Sequence, residues 1–236
     1  MKIAINLLPF REKIAGAGKY AKEIVYGLSE LDSENEYFLF ISQNGKINFN
    51  INKTNFHFII PNINSDRIIS RIFWEQLVFP FKLRKLKPDI VFTPSVAIPL
   101  VSTQIFFTSI HDIAYKKNKL KYPFLRRIYI RLVTSIAAKK SKVIFALTEA
   151  AKNEIRAEFN LSENRFQVTY VGVEDGFFKQ FASEEKSKFA EKFNLPEEFI
   201  LYVGAIEPGK NLDKLFIAFS EVVKTRPGIK FVLTSG

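Results

Sequence analysis

A histidine and an aspartate follow one of the apolar runs of the sequence. His111-Asp112 comes one residue after Gln104–Ser109, and His111 is one of only two histidines in the chain. If that run is a parallel strand, its carboxyl end points into the crevice where open α/β sheets bind ligands. His111 is therefore either a ligand contact or a structural histidine. His57 lies within an alternating strand pattern, and no His or carboxylate cluster has metal-ligand spacing, so no metal site is predicted.

Two glycines precede the first helical pattern. Gly16 and Gly18 match the loose pattern G-x-G-x-x-G/A, in which glycines let a phosphate approach N–H groups at a helix N-terminus. A dinucleotide site is not supported, because the preceding loop is long and Ile41–Asn44 offers no carboxylate for a ribose. A P-loop is excluded, since Tyr20 stands where Ser or Thr is needed. A phosphate contact and an ordinary close-packed turn both remain open.

A second candidate anion site lies near the end of the chain. Lys210 precedes a helical pattern in the segment Glu207-Pro208-Gly209-Lys210-Asn211. The partial positive charge of a helix N-terminus favours an anion there, and the lysine adds a mobile cation. The alternative is a solvated loop lysine.

Positive charge is concentrated in the middle of the chain. The formal net charge is +11, and no acidic residue occurs between Asp112 and Glu149. Apolar, aromatic and basic residues interleave over Tyr115–Arg131. This stretch is either a solvated basic face or a surface for an anionic membrane or substrate. Nucleic acid is not expected as a partner, because no nucleic-acid-binding motif accompanies the charge.

Alternating strand and helix patterns must position these residues. Strands are predicted at 3–8, 37–42, 56–60, 89–93, 104–109, 142–147, 167–171, 200–204 and 230–234, and helices at 65–84, 124–140, 149–159, 183–193 and 211–224. The alternation predicts an α/β fold with a doubly wound parallel sheet. Leu31 is placed on the buried stripe of the first helix. Pro80 should kink or break its helix, while Thr148 and Asn211 should be N-caps.

The bulk composition is that of a soluble globular protein. The chain has 236 residues, 47% of them hydrophobic, and no cysteine. A disulfide scaffold and thiolate metal sites are therefore excluded. The amino-terminal segment becomes polar too early for a signal peptide. These features favour a cytoplasmic location, with peripheral contact at the inner face of the membrane through Tyr115–Arg131.

The order and spacing of several short motifs resemble the family-4 retaining glycosyltransferases, which have the GT-B fold. The resemblance covers essentially the whole chain. It rests on the glycine loop, on His111-Asp112 and on five further segments: Phe73-Trp74-Glu75-Gln76-Leu77, Lys87-Pro88-Asp89-Ile90-Val91, Ala146-Leu147-Thr148-Glu149, Tyr170-Val171-Gly172-Val173-Glu174, and Tyr202-Val203-Gly204 with Lys210-Asn211-Leu212. It predicts a complete Rossmann-like acceptor-side domain at 1–173, a connector at 174–196 and an incomplete donor-binding domain at 197–236.

The resemblance also implies an activity and roles for the site residues. A nucleotide-sugar donor would bind between the two domains, and a glycan or lipid-linked acceptor would bind the first. No cofactor is implied, and catalysis would be metal-independent because a helix N-terminus and basic groups stabilise the leaving diphosphate. His111 would contact the transferred sugar, and Gly16, Gly18 and Lys210 would bind the donor diphosphate. The acceptor-side candidates are Trp74, Glu75, Asp112 and Thr148.

The carboxyl-terminal segment departs from the family pattern. Ala205 stands where many relatives have an arginine, Gly209 replaces a frequent basic residue, and no E-x7-E glutamate pair occurs after the last strand. A single βαβ unit cannot cover both faces of a parallel sheet, so it either docks on the first domain or belongs to a domain that continues. We therefore expect a chain truncated within its donor domain, with little turnover. The alternative is a non-catalytic protein that binds an acceptor or a partner.

Overall fold

The computed structural model describes residues 1–10, 12, 16–63, 67–117 and 123–234. They form two compact units. The first comprises Met1–Ala114 with Leu125–Val171, and the second comprises Tyr115–Phe124 with Gly172–Gly236. The predicted division at 1–173, 174–196 and 197–236 stays a prediction.

A seven-stranded parallel sheet forms the first unit. Its strands are β1 (Lys2–Asn6), β2 (Glu36–Phe40), β3 (Phe56–Ile59), β4 (Ile90–Thr93), β5 (Phe106–Ser109), β6 (Ser141–Ala146) and β7 (Phe166–Val168). They are arranged in the order β3-β2-β1-β4-β5-β6-β7. In the register at the centre, Ala4 lies opposite Phe38 on one side and Val91 on the other. The carboxyl ends of the seven strands therefore share one edge.

Helices cover both faces of this sheet. They are α1 (Ala17–Leu31), α2 (Ile68–Phe73), α3 (Phe79–Leu86), α5 (Phe124–Lys140) and α6 (Glu149–Phe159), while the short α4 (Ala114–Lys117) follows Asp112 and falls mostly in the second unit. Ile5 packs in one buried cluster with Ala21 and Val25 of α1. Its neighbour Ala4 packs in another cluster, which includes Leu83. Because successive strand residues point to opposite faces, the predicted doubly wound sheet is confirmed.

Two details of the helix predictions are wrong. Leu31 is 89% exposed, because it is the last residue of α1 and extends past the sheet. Pro80 does not end its helix. A π-helical turn (Trp74–Val78) lies between α2 and α3, and Phe79 N–H bonds to Trp74 O across it. Pro80 then falls in the first turn of α3, where a missing N–H is tolerated.

The second unit contains one helix followed by a βαβ unit. Its elements are α7 (Ser183–Lys192), β8 (Phe199–Val203), α8 (Leu212–Thr225) and β9 (Lys230–Thr234), and the two strands are parallel. The Phe231 ring lies 5.6 Å from Phe216 and 5.1 Å from Phe219, so α8 packs on β9. Asn211 occupies the N-cap position, but it is left-handed (φ 58°) and its side chain makes no capping hydrogen bond among the described residues. The predicted side-chain cap is therefore wrong.

Candidate functional site

His111 lies at the carboxyl edge of the first sheet, two residues beyond the end of β5. Its Nε2 is 3.2 Å from the Pro94 carbonyl oxygen. A carbonyl can only accept a hydrogen bond, so Nε2 carries the proton and Nδ1 keeps its lone pair. Burial lowers the pKa of His111, against the opposing effects of the Pro94 hydrogen bond and the Asp112 charge. The ring is therefore neutral at neutral pH.

Tyr20, in the first turn of α1 after Gly16 and Gly18, contacts His111. Its ring meets the imidazole edge-on, with centroids 5.0 Å apart. Its hydroxyl lies 3.1 Å from Ser109 Oγ and 3.2 Å from Thr169 Oγ1. Three side chains from α1 and the ends of β5 and β7 therefore meet beside the imidazole.

The two candidate glycines stand at the start of α1. Gly16 has φ 49° and ψ −110°, a backbone conformation that residues other than glycine rarely adopt. It is exposed, and a Cβ placed on it would meet no described atom within 4 Å. Gly18 is buried. Through Tyr20, the structure thus brings the start of α1 and His111 to the same sheet edge. Residues 11 and 13–15 lie outside the described part.

Glu75 forms a buried polar cluster at the end of β1. Asn6 Nδ2 donates to Glu75 Oε1 over 3.4 Å and to the Ala97 carbonyl over 3.1 Å. Arg71 Nε lies 3.7 Å from Glu75 Oε2. Burial raises the pKa of Glu75 to about 7, although the Arg71 charge and the Asn6 hydrogen bond oppose the rise. This carboxyl group therefore titrates near neutral pH.

Trp74 and Gln76 flank Glu75 and point elsewhere. Trp74 is 5% exposed and packs against Phe40 and Phe79 in the core. Gln76 Nε2 donates to the Ile98 carbonyl over 3.2 Å, and its Oε1 accepts from Leu100 N over 2.8 Å. The π-helical turn thus sends three consecutive side chains to the core, to β1 and to the segment after β4.

The other two acceptor-side candidates make local hydrogen bonds. Asp112 Oδ1 accepts from Ala114 N over 2.9 Å at the start of α4. Thr148 Oγ1 accepts from Ala151 N over 3.0 Å, which confirms its predicted role as the N-cap of α6. Both residues are exposed.

Lys210 belongs to the second unit and is described there by itself. It is exposed and ends a short 3₁₀ turn (Pro208–Lys210), in which its N–H bonds to the Glu207 carbonyl. The α8 helix begins two residues later. The lysine therefore lies beside a helix N-terminus, as the sequence predicts.

The amino-terminal half of α5 exposes apolar side chains among arginines. Leu125 is 79% exposed, and Ile128 and Leu132 are also exposed. The pKa of Tyr129 is raised by burial and by the charge of Glu75, so this part of α5 lies near the π-helical turn. Ile69 and Phe73 of α2 are exposed as well. Residues 118–122 of the predicted basic surface lie outside the described part.

The described residues contain neither a metal-ligand cluster nor a membrane-spanning helix. Across ranges 1–10, 16–63, 67–117 and 123–234, no three His, Asp or Glu side chains are grouped so that they could hold a metal ion. In the same part of the chain, no helix has the length and apolarity needed to cross a membrane.

Comparison with known proteins identifies the family. The family model of Glycosyltransferase Family 4 matches residues 14–177. The chain belongs to this family. The mannosyltransferase WbdA of Escherichia coli is 27% identical over 114 residues, which are 47% of this chain and 14% of WbdA. The O-antigen chain mannosyltransferase RfbU of Salmonella typhimurium is 25% identical over 65% of this chain and 40% of its own length.

Solved structures agree on the fold of this family-4 member. HepE of Anabaena, in complex with UDP and glucose, matches with a TM-score of 0.64 and 14% identity over 99% of this chain and 60% of HepE. WaaG, a glycosyltransferase involved in lipopolysaccharide biosynthesis, matches with a TM-score of 0.58 and 14% identity over 98% of this chain and 70% of WaaG. The predicted α/β fold of the GT-B type is thereby confirmed.

Sequence reasoning missed several residues of the site. Asn6, Tyr20 and Pro94 were not among the candidates, and Gln76 appeared only within a family motif. One signal was available, because Asn6 is a polar residue at the end of the apolar run Ile3–Ile5. The contacts of Tyr20 and Pro94 depend on how the strand ends meet.

Proposed function

We propose that this protein is a glycosyltransferase that moves a sugar from a nucleotide-sugar donor to a glycan or lipid-linked acceptor with retention of configuration. The observation that carries the proposal is the imidazole of His111, oriented by the Pro94 carbonyl beside Tyr20 of α1 at the carboxyl edge of the sheet. Membership of family 4 supports the same activity. The chain spans well under half of the two curated relatives, so the substrates are part of the proposal.

The proposed roles follow from the chemistry of each group. His111 Nδ1 accepts a hydrogen bond from a hydroxyl of the transferred sugar, because Nε2 is already committed to Pro94. Lys210 and the N–H groups at the start of α8 bind the diphosphate and stabilise the charge that develops on it. Gly16 and Gly18 leave room for phosphate oxygens near the start of α1. Catalysis in this scheme needs no metal ion.

The acceptor is proposed to bind the first unit. Asp112 and Thr148 supply oxygen atoms for acceptor hydroxyls, and the acceptor-side residues Trp74 and Glu75 support them from the buried part of the unit. Asp112 and Thr148 are exposed, whereas Glu75 is buried, so the first two are the direct contacts in this proposal.

The donor class is tested with a panel of nucleotide sugars. The first compounds are nucleotide-activated mannose and UDP-glucose, because two relatives are mannosyltransferases and HepE was solved with UDP and glucose. Transfer and hydrolysis are measured on residues 1–236. We expect little turnover from residues 1–236. Full turnover by that chain would contradict the expectation of a missing donor site.

Two histidines provide a matched pair for the test. We expect His111→Ala to abolish most transfer, while His57→Ala, on β3 beside Glu36, leaves it unchanged. Lys210→Ala should weaken the binding of a nucleotide diphosphate, measured by titration. Lys214→Ala, a change at an exposed residue of α8, should leave this binding unchanged. A chain that binds no nucleotide diphosphate and processes no common donor, or a His111→Ala variant as active as the wild type, would refute the proposal and favour the non-catalytic binding protein.

We further propose that the basic surface Tyr115–Arg131 contacts an anionic membrane, which would place the enzyme peripherally on its cytoplasmic side. Exposed Leu125 and Ile128 beside Arg126 support this, since apolar insertion and charge attraction act together at such surfaces. The Leu125→Asp/Ile128→Asp variant should lose sedimentation with phosphatidylglycerol vesicles. Leu31→Asp, on α1 at the opposite face of the sheet, is the control. Equal sedimentation of all three proteins would refute the membrane contact.

A further inference from the structure

The segment Pro94–Leu100 connects β4 to the loop before β5 and has no regular secondary structure. Short local hydrogen bonds shape it. Thr93 Oγ1 donates to the Ser95 carbonyl over 2.9 Å, and Ile98 N donates to the Val96 carbonyl over 3.0 Å. Ile98 is buried in the cluster that contains Trp74. Because these hydrogen bonds are local, contacts with other elements must fix the position of the segment in the fold.

Side chains from three elements hold the segment in place. Asn6 of β1 donates to the Ala97 carbonyl, and Lys140 Nζ at the end of α5 donates to the Leu100 carbonyl. Gln76 is bound at two points, since its amide nitrogen donates to the Ile98 carbonyl and its amide oxygen accepts from Leu100 N. The amide side chain can make both bonds, whereas an ionised carboxylate lacks the donor and an apolar group lacks both the donor and the acceptor.

The first residue of the same segment orients His111. The Pro94 carbonyl is the acceptor that fixes the proton of His111 on Nε2. On the other side, the Tyr20 ring contacts the imidazole without accepting a conventional hydrogen bond from it. The orientation and tautomer of the imidazole therefore depend on where the segment places the Pro94 carbonyl.

We propose that Gln76 is a positioning residue for His111 and that it acts through the segment Pro94–Leu100. The Gln76 amide fixes Ile98 and Leu100, the segment carries this constraint back to Pro94, and the Pro94 carbonyl selects the Nε2–H tautomer of His111. This inference rests on the proposed function only for its consequence, which is a lone pair on Nδ1 that faces the sugar. The tautomer itself can be measured without any substrate.

Nuclear magnetic resonance of histidine labelled with ¹⁵N tests the proposal directly. His57 and His111 are the only histidines, so the spectrum contains two rings, and His57 on β3 is an internal reference. At alkaline pH, long-range ¹H–¹⁵N spectra distinguish Nε2–H from Nδ1–H. The wild-type His111 signal should be that of the Nε2–H tautomer.

The variants are Gln76→Ala and the nearly isosteric Gln76→Glu. Both should change the tautomer ratio of His111 about fivefold or more, as expected for loss of one ordinary hydrogen bond. Leu77→Ala, a truncation at an exposed position of the same π-helical turn, should leave the ratio unchanged, and the His57 signal should not move in any variant. Gln76→Glu remains informative if Gln76→Ala does not fold.

The proposal would be overturned by a folded Gln76→Glu protein in which the tautomer ratio and the chemical shifts of His111 are the same as in the wild type. The same variant then separates this inference from the proposed function. If the tautomer changes, positioning stands even where the protein binds no nucleotide diphosphate and the glycosyltransferase proposal fails. If transfer occurs with wild-type kcat/KM in Gln76→Glu and the tautomer is unaltered, the function stands and the positioning role is refuted.

Discussion

Replacing Glu75 with glutamine should remove a loss of stability that the wild type shows as the pH rises. Glu75 is 3% exposed, and its folded-state pKa is about 7, against an ordinary value of 4.5. A carboxyl group whose pKa is raised by folding stabilises the protein fully below its unfolded pKa. That contribution is lost as the pH rises through the folded pKa. The wild type should therefore lose stability between pH 4.5 and 7 on account of this group.

The size of the effect follows from the two pKa values. One pKa unit corresponds to about 1.4 kcal/mol, so a rise from 4.5 to about 7 corresponds to about 3 kcal/mol. Glutamine keeps an oxygen that can accept from Asn6 Nδ2 but has no proton to lose. The attraction between Arg71 and ionised Glu75 is already included in the folded-state pKa of about 7, so its loss in the variant needs no separate correction. Tyr129, the other titrating group nearby, ionises only at much higher pH.

Urea denaturation from pH 4.5 to 8.5 measures the difference. The stability of Glu75→Gln relative to wild type should rise by about 3 kcal/mol across this range, with equal m values. His111 and all other titrating groups are present in both proteins, so their contributions cancel. A difference in stability that is the same at pH 4.5 and pH 8.5 would show that Glu75 ionises normally, and the argument from burial would fail.

Three further substitutions test other parts of the fold. Asp32→Asn should destabilise the protein at neutral pH. Hydrogen bonds from Tyr37 and Asn35 hold the Asp32 pKa well below its usual range. The stability lost in the variant should therefore shrink as the pH falls below about 4. A loss of stability that does not change with pH in an acid titration would contradict this. Thr148→Ala should cost about 1 kcal/mol in thermal or urea melts by removing the α6 N-cap, and Thr148→Ser should restore it. Trp74→Ala should cost about 3–5 kcal/mol in urea denaturation, and a loss as small as that of the exposed control Ile69→Ala would refute its core role.

Local patterns predicted the regular elements well. Helices at 124–140 and 149–159 match the structure, because amphipathic spacing and the Thr148 cap are encoded within each segment. Pro80 was misjudged, since proline alone argues for a break and only the preceding π-helical turn accommodates it. Asn211 was misjudged because its residue type favours capping, whereas its left-handed backbone directs the side chain elsewhere.

The candidate site could be predicted only in part. His111 follows a strand in the sequence, so its position at the sheet edge was inferable. Its hydrogen bond to Pro94 and its contact with Tyr20 join segments 17 and about 90 residues away, and no local pattern encodes such pairings. The buried state of Glu75 likewise depends on Asn6, 69 positions earlier. The sequence identified His111 as a candidate and missed the groups that orient it.

The π-helical turn also restricts how the chain length can vary. Trp74, Glu75 and Gln76 need this turn to reach three different targets, and Phe79 and Leu83 follow it into the core. Deleting one residue between 74 and 78 would rotate α3 by about 100°, since an α-helix turns once in 3.6 residues. Both core residues would then leave the sheet face. In homologues or engineered variants, a gap in this segment should therefore be far less tolerated than a substitution at Leu77.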